Sequence, residues 1–177
     1  MAEINLSGGE DQIFDALAIS SDGQLLAAAG GGTLRVWDTG TWEAWEPKPT
    51  HDDTVGILKL TDDDTRLLIS SGTAVGRWSL LDRRLTHGEQ LEPYSSRHLC
   101  IIREGDISLD SSLLMTGDDC GQYRAWDLAA GTEIYIPQLH KAQNRIPVTV
   151  MQFSPDGRVL FVGSYAGFGM LFVHQPE

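Results

Sequence analysis

No apolar run in this 177-residue chain approaches the roughly eighteen residues that a membrane-spanning helix needs. Basic residues are scarce as well: 13 Lys and Arg stand against 25 Asp and Glu, for a formal net charge of −12. A duplex-binding surface or a dock on an anionic membrane needs a basic face, so neither nucleic acid nor membrane is an expected partner. The acidity suits solubility and, more specifically, a preference for basic partners. Cysteine is limited to Cys100 and Cys120, too few for a disulfide framework. The opening MAEINLSGGEDQ has neither the positive nor the apolar region of a signal peptide. These features lead us to expect reduced thiols and a cytoplasmic (intracellular) protein.

Patterns that carry chemistry are thin. The five histidines, 51, 87, 98, 140 and 174, include no pair at zinc spacing. Asp62-Asp63-Asp64 and Asp118-Asp119 lack the spaced ligands and glycine of a calcium loop. Gly163-Ser164-Tyr165-Ala166-Gly167 puts its serine one position away from a nucleophile elbow. There is no phosphate-binding loop. The sequence therefore nominates no catalytic residue, no metal site and no cofactor, and a non-enzyme is expected.

What the chain has instead is repetition. SDGQLLAAAGGGTLRVWD, Ser21 to Asp38, reads as a turn, a short apolar strand, a glycine break and a second strand closed by Trp-Asp. Similar stretches recur as LTDDDTRLLISSGTAVGRWS, ISLDSSLLMTGDDCGQYRAWD and MQFSPDGRVLFVGSYAGFGMLFV. Aligning them superposes Trp37, Trp78, Trp126 and Phe172, at spacings between 41 and 48 residues. Two strands cannot bury both faces alone, so each unit needs copies beside it. This period, with Arg35-Val36-Trp37-Asp38, Arg124-Ala125-Trp126-Asp127 and Ser154-Pro155-Asp156-Gly157 as its clearest pieces, resembles the WD40 repeat of β-propellers.

The resemblance implies an all-β fold of four four-stranded blades, at about 12–49, 54–93, 100–138 and 147–177 plus 1–8. Strand a of each blade places apolar residues at i, i+3 and i+5 (Val55, Leu58 and Leu60, for example), which suggests a bulge or a strand buried on both faces. Outer strands are expected at Glu43–Pro47, Gly88–Pro93 and Thr132–Pro137. The fourth copy lacks an outer strand, and Glu3–Ser7 is the segment expected to complete it, in the same chain or in a partner chain. A homodimer forming an eight-bladed ring is the preferred arrangement. A closed four-bladed ring and half of a larger propeller are the others.

Members of this family often link a His before strand a, a Ser or Thr on strand b, an Asp in the b–c turn and the Trp. His51 and His98 match the His position, but the Asp positions hold Gly31, Gly72, Cys120 and Ala166. That departure puts the network in doubt.

The function implied by the resemblance is a non-catalytic scaffold that binds a protein or peptide on the rim of d–a and b–c loops. Tyr94, Arg97, His98, Asp118, Asp119, Lys141, Arg145, Tyr165 and Phe168 fall on that rim, a mix of aromatic and arginine residues typical of binding hot spots. Arg103, Glu104 and Asp106 charge the third strand a and are expected to face the channel. A glycan-binding propeller using Trp42 or Trp45, and a propeller hydrolase with a site assembled across blades, are the competing readings.

Overall fold

The computed structural model describes residues 13–45, 48–49, 54–61, 63–81, 84–91, 100–135, 146–167 and 169–173. Everything described is strand, turn or loop. Four antiparallel sheets follow one another along the chain. The first holds β1 (Ala16–Ile19), β2 (Leu25–Gly30), β3 (Thr33–Asp38) and β4 (Lys48–Pro49). The second holds β5 (Val55–Leu60), β6 (Arg66–Ser71), β7 (Ala74–Leu81) and β8 (Arg84–Gln90). The third holds β9 (Ile102–Ile107), β10 (Leu113–Asp118), β11 (Tyr123–Asp127) and β12 (Thr132–Ile134). The fourth holds β13 (Val148–Phe153), β14 (Val159–Ser164) and β15 (Met170–Val173). Inner strands are neighbours in sequence order, β1 beside β5, β5 beside β9 and β9 beside β13. This is a propeller of four blades.

The outer strands depart most from expectation. In the first blade Ala44 makes only an isolated bridge to Trp37, and the strand itself is Lys48–Pro49. In the second it starts at Arg84, ahead of Gly88. Pro47, Pro93, Pro137, His51, His98 and the Glu3–Ser7 segment lie outside the described residues.

The four aligned aromatics are equivalent. Trp37 pairs with Leu26, Trp78 with Leu67, Trp126 with Leu114 and Phe172 with Leu160, the same register in every blade. Three apolar layers then lie between adjacent blades. Ala27, Ala29 and Val36 meet Leu58, Leu67 and Ile69 in the first. Ile57, Leu68 and Val75 meet Ile102, Leu114 and Trp126 in the second. Met115, Tyr123 and Ala125 meet Met151, Phe153, Leu160 and Val162 in the third. Trp126 is buried, and its Nε1–H donates to Thr116 Oγ1 at 3.0 Å, so its one polar atom is satisfied.

Close approach of the inner strands fixes glycine at two positions. A Cβ on Gly56 would lie 2.2 Å from the Ile102 carbonyl oxygen, and one on Gly105 would lie 2.5 Å from Ile57 Cδ1. The strand-a bulge is present in three blades, where Gly56, Arg103 and Thr149 are each the extra residue opposite β6, β10 and β14.

A second repeat governs the turn between the first two strands of every blade. Ser20-Ser21-Asp22, Thr61-Asp62-Asp63, Ser108-Leu109-Asp110 and Ser154-Pro155-Asp156 place a hydroxyl two residues before a carboxylate. In each, the hydroxyl donates to Oδ1 of the aspartate at 2.5–2.7 Å. That Oδ1 accepts the N–H of the residue two further on. The hydroxyl oxygen accepts the N–H that opens the second strand, from Leu25, Arg66, Leu113 and Val159. The left-handed residue of the turn is Gly23, Asp64, Ser111 or Gly157.

These bonds favour ionised carboxylates. The Ser20 hydroxyl, then the Gln24 N–H, lowers the Asp22 pKa from 3.8, Thr61 does so first for Asp63, and Ser154 for Asp156. Groups whose folded pKa lies below the unfolded value add stability above the unfolded value and lose it as pH falls through the folded one. We expect the melting midpoint to hold above about pH 5 and to fall increasingly below 3.8. In an Asp22→Asn, Asp63→Asn, Asp156→Asn triple variant that acid limb should flatten. An unchanged limb, read by calorimetry against pH, would remove these turns as its cause.

Candidate interaction rim

Bulged residues do not follow the sheet's alternation, and here they point at one place. Gly56, Arg103 and Thr149 all line a hollow of about 540 Å³ at the b–c end of the inner strands. Asp15 lines it from the first blade, and Glu104, Asp119 and Tyr165 complete its polar wall. Among the described residues its lining thus holds three carboxylates and one guanidinium. Arg103 Nη2 lies 3.7 Å from Asp119 Oδ2, and both side chains remain partly exposed. Burial pushes the Glu104 carboxyl above its ordinary pKa, against the opposing pull of Lys59. Tyr165 stands at the mouth, 83% exposed.

Asp119 and Tyr165, expected on the rim, and Arg103 and Glu104, expected to face the channel, are brought together at this hollow. Tyr94, Arg97, His98, Lys141, Arg145 and Phe168 lie outside the described residues. Two expectations need correction. Asp118 is only 2% exposed, so it is part of the turn and not a contact surface. Its Oδ1 accepts the N–H groups of Cys120 and Gln122. Desolvation raises its pKa, opposed first by the Gln122 bond.

Asp106 sits at the opposite end of β9. It pairs with Lys59 at 3.0 Å and accepts the Phe153 N–H at 2.7 Å, tying three blades together. The charges of β9 thus find partners on other elements and not one another. Asp118 also supplies what Cys120 cannot. The third blade keeps a Trp–Thr bond and a turn aspartate, displaced by two residues from the expected place.

The thiols are not reduced. Cys100 and Cys120 form a disulfide, with Cα atoms 5.8 Å apart. Asp118 pairs with Ile102 across the ladder, which carries the residues just beyond it, Cys120 and Cys100, into bonding range. The step from free thiols to a cytoplasmic location loses its premise.

Asp15 and Lys59 were missed in the sequence. Asp15 follows Phe14 as Gly56 follows Val55, Arg103 follows Ile102 and Thr149 follows Val148. Extending the repeat alignment by one column would have found it. Trp45 packs partly buried against the first inter-blade layer. Trp42 has a left-handed φ of 59° and is 39% exposed.

A WD domain, G-beta repeat model matches residues 5–38. Human apoptotic protease-activating factor 1 is 28% identical over 167 residues, 92% of this chain and 13% of that protein. The WD40 repeat match and the four-bladed architecture together support the resemblance to the WD40 β-propeller family. The guanine nucleotide-binding protein subunit beta of Nicotiana tabacum is also 28% identical, over 80% of this chain and 39% of its own length. The chain thus spans a minor part of the curated relatives it matches. Among solved structures, the computationally designed Ika4 protein aligns with a TM-score of 0.74 at 20% identity, covering 98% of this chain and 99% of that one. The β-propeller domain of Myceliophteria_thermophila Cps50 (Swd1) aligns at 0.72 and 15% identity, covering 89% and 51%. Both show the same fold.

A disulfide across this loop should stabilise the chain by about 3 kcal/mol on the chain-entropy view. Protein prepared without reductant and then denatured should titrate no thiols, and after reduction both cysteines should react. Its melting temperature should drop on reduction. Two reactive thiols in the unreduced protein would contradict the cross-link.

Proposed function

We propose that this chain is a non-catalytic interaction module whose b–c rim receives a cationic side chain of a protein or peptide partner. WD40 propellers typically serve as protein-interaction scaffolds, and the observation that carries this reading is the rim hollow. Among the described residues, Asp15, Glu104 and Asp119 outnumber Arg103 there, with an exposed Tyr165 at the entrance. A cation entering would gain carboxylate partners and an aromatic face. The net charge of −12 steers basic ligands toward it.

Peptide display against the chain should enrich Lys- or Arg-bearing sequences. Tyr165→Ala and Glu104→Gln should each weaken the enriched peptides by at least about tenfold, roughly 1.4 kcal/mol. Leu109→Ser, at the opposite end of the blades, should leave affinity unchanged. Failure to enrich, or binding indifferent to Tyr165 and Glu104, would reject this rim as the site.

We infer further that two copies complete an eight-bladed ring. On β1, Ala16 and Ala18 pack on the second blade, while Leu17 and Ile19 are 67% and 65% exposed. At the far end Val150 and Phe161 are 40% and 49% exposed. These are outer faces of the first and last blades, the faces that every interior blade covers with a neighbour. A two-fold pairing of first with last blade covers both faces twice. Native mass measurement should give twice 19.4 kDa. Ile19→Glu or Phe161→Glu should return the chain to 19.4 kDa. A wild-type chain that stays monomeric would leave completion by another polypeptide, or closure within one chain, in place of the dimer.

A further inference from the structure

Cys100, Asp118, Asp119 and Cys120 offer two sulfurs and two carboxylate oxygens, all within 4.8 Å of one another. The disulfide is not the only bond that holds this group. Ile101 donates its N–H to Asp119 Oδ1 at 3.0 Å, and Asp119 N–H donates to the Ile101 carbonyl at 3.0 Å. Asp118 is fixed by the two turn N–H groups it accepts. The backbone frame therefore persists when the sulfur–sulfur bond opens.

Asp118 adds a separate observation. Although the side chain is buried, its Oδ2 has no hydrogen-bond donor among the described residues. It faces Arg124 Nη2 at 3.6 Å, an atom that also lacks a hydrogen bond. A buried carboxylate oxygen in that condition is short of a partner.

We propose that, once the Cys100–Cys120 disulfide is reduced, the two thiolates and the carboxylates of Asp118 and Asp119 bind one zinc-like divalent cation. Zinc takes sulfur at about 2.3 Å and carboxylate oxygen at about 2.0–2.2 Å, so its tetrahedron has edges of roughly 3.3–3.8 Å. The existing cluster needs little movement to reach that. Thiolate ligands select against magnesium and calcium. Four ligand charges of −1 are offset by the dication, by Arg124 beside Asp118 and by Arg103 beside Asp119. Asp119 opens on the rim hollow, which gives the ion a way in.

The redox step balances with a dithiol as reductant. One of its sulfurs attacks the disulfide and the second resolves the mixed disulfide, so two electrons pass to the cysteine sulfurs. Each cysteine sulfur gains a proton, and the reductant leaves as its own disulfide. Cation binding then displaces both thiol protons. The same four residues thus alternate between a cross-link and a metal site, whether or not the rim binds a protein.

The test is a Co²⁺ titration of the full chain, reduced with a dithiol and freed of reductant without oxygen. One equivalent should bind, with intense sulfur-to-cobalt charge-transfer absorption that Zn²⁺ abolishes, and the oxidised chain should bind none. Cys120→Ser should lose most of that absorption. Asp119→Asn keeps a carbonyl for the Ile101 N–H, so its metal-free melting should match the reduced parent while cobalt affinity falls at least about tenfold. Absence of stoichiometric binding in the reduced chain would overturn the proposal. Equal affinity in Asp119→Asn, or equal binding by the oxidised chain, would do the same.

Discussion

A four-stranded sheet with apolar side chains on both faces needs a cover on each face, and the rest of this molecule is arranged to provide it. Trp126 and Leu114 of the third blade are covered by Leu68 and Val75 of the second, and Met115 and Tyr123 on the other face by Met151 and Val162 of the fourth. Each Leu or Trp so buried removes about 1.5–3 kcal/mol of exposure cost or more, as an upper estimate. No single blade gains that alone. The repeat in the sequence is the record of this dependence, and a linear stack of such sheets necessarily ends with two faces bare. Leu17 and Ile19 at one end, Val150 and Phe161 at the other, are those faces.

The inner strands carry the tightest constraint. Stacking blades around an axis crowds their first strands, so side chains there must shrink or swing aside. Gly56 and Gly105 are the shrinking, and the bulges at Gly56, Arg103 and Thr149 are the swinging. A bulge lifts its residue out of the alternation and aims it at the axis. The same crowding that forces the bulge therefore builds the rim hollow, which explains why a long charged residue, Arg103, is tolerated on a central strand.

Much of this was legible in the sequence, because the signals that carry it are local and repeated. Trp37, Trp78, Trp126 and Phe172 share one register as their spacing implied, and the i, i+3, i+5 spacing of strand a marks a bulge in three of the four blades. What escaped was set by partners distant in sequence. Asp106 looks like a channel charge until Lys59 and the Phe153 N–H, on two other blades, take it up. Asp118 reads as a surface turn residue, yet the Tyr123–Asp127 strand buries it beside Arg124. Outer strands were placed less well for another reason: with one neighbour each, their composition is weakly constrained, so β12 falls within its expected range, β8 overlaps it and β4 lies beyond it.

The cysteines mark the limit of composition as a guide. Counting to two argues against a framework of cross-links, and the count is right, but pairing is decided by the ladder. Once Ile102 is opposite Asp118, the residues just beyond them are neighbours whatever the total number of cysteines. A blade turn in which most copies place glycine or alanine here receives Cys120, flanked by Asp119 and by the buried Asp118. Asp118 holds this turn through the Cys120 and Gln122 N–H groups, whereas the first blade closes a shorter turn with Gly31 and Gly32 and neither sulfur nor carboxylate. At a position that the other copies fill with glycine or alanine, the third blade places a cysteine that cross-links the turn to the start of its inner strand. In the third blade that position borders the rim.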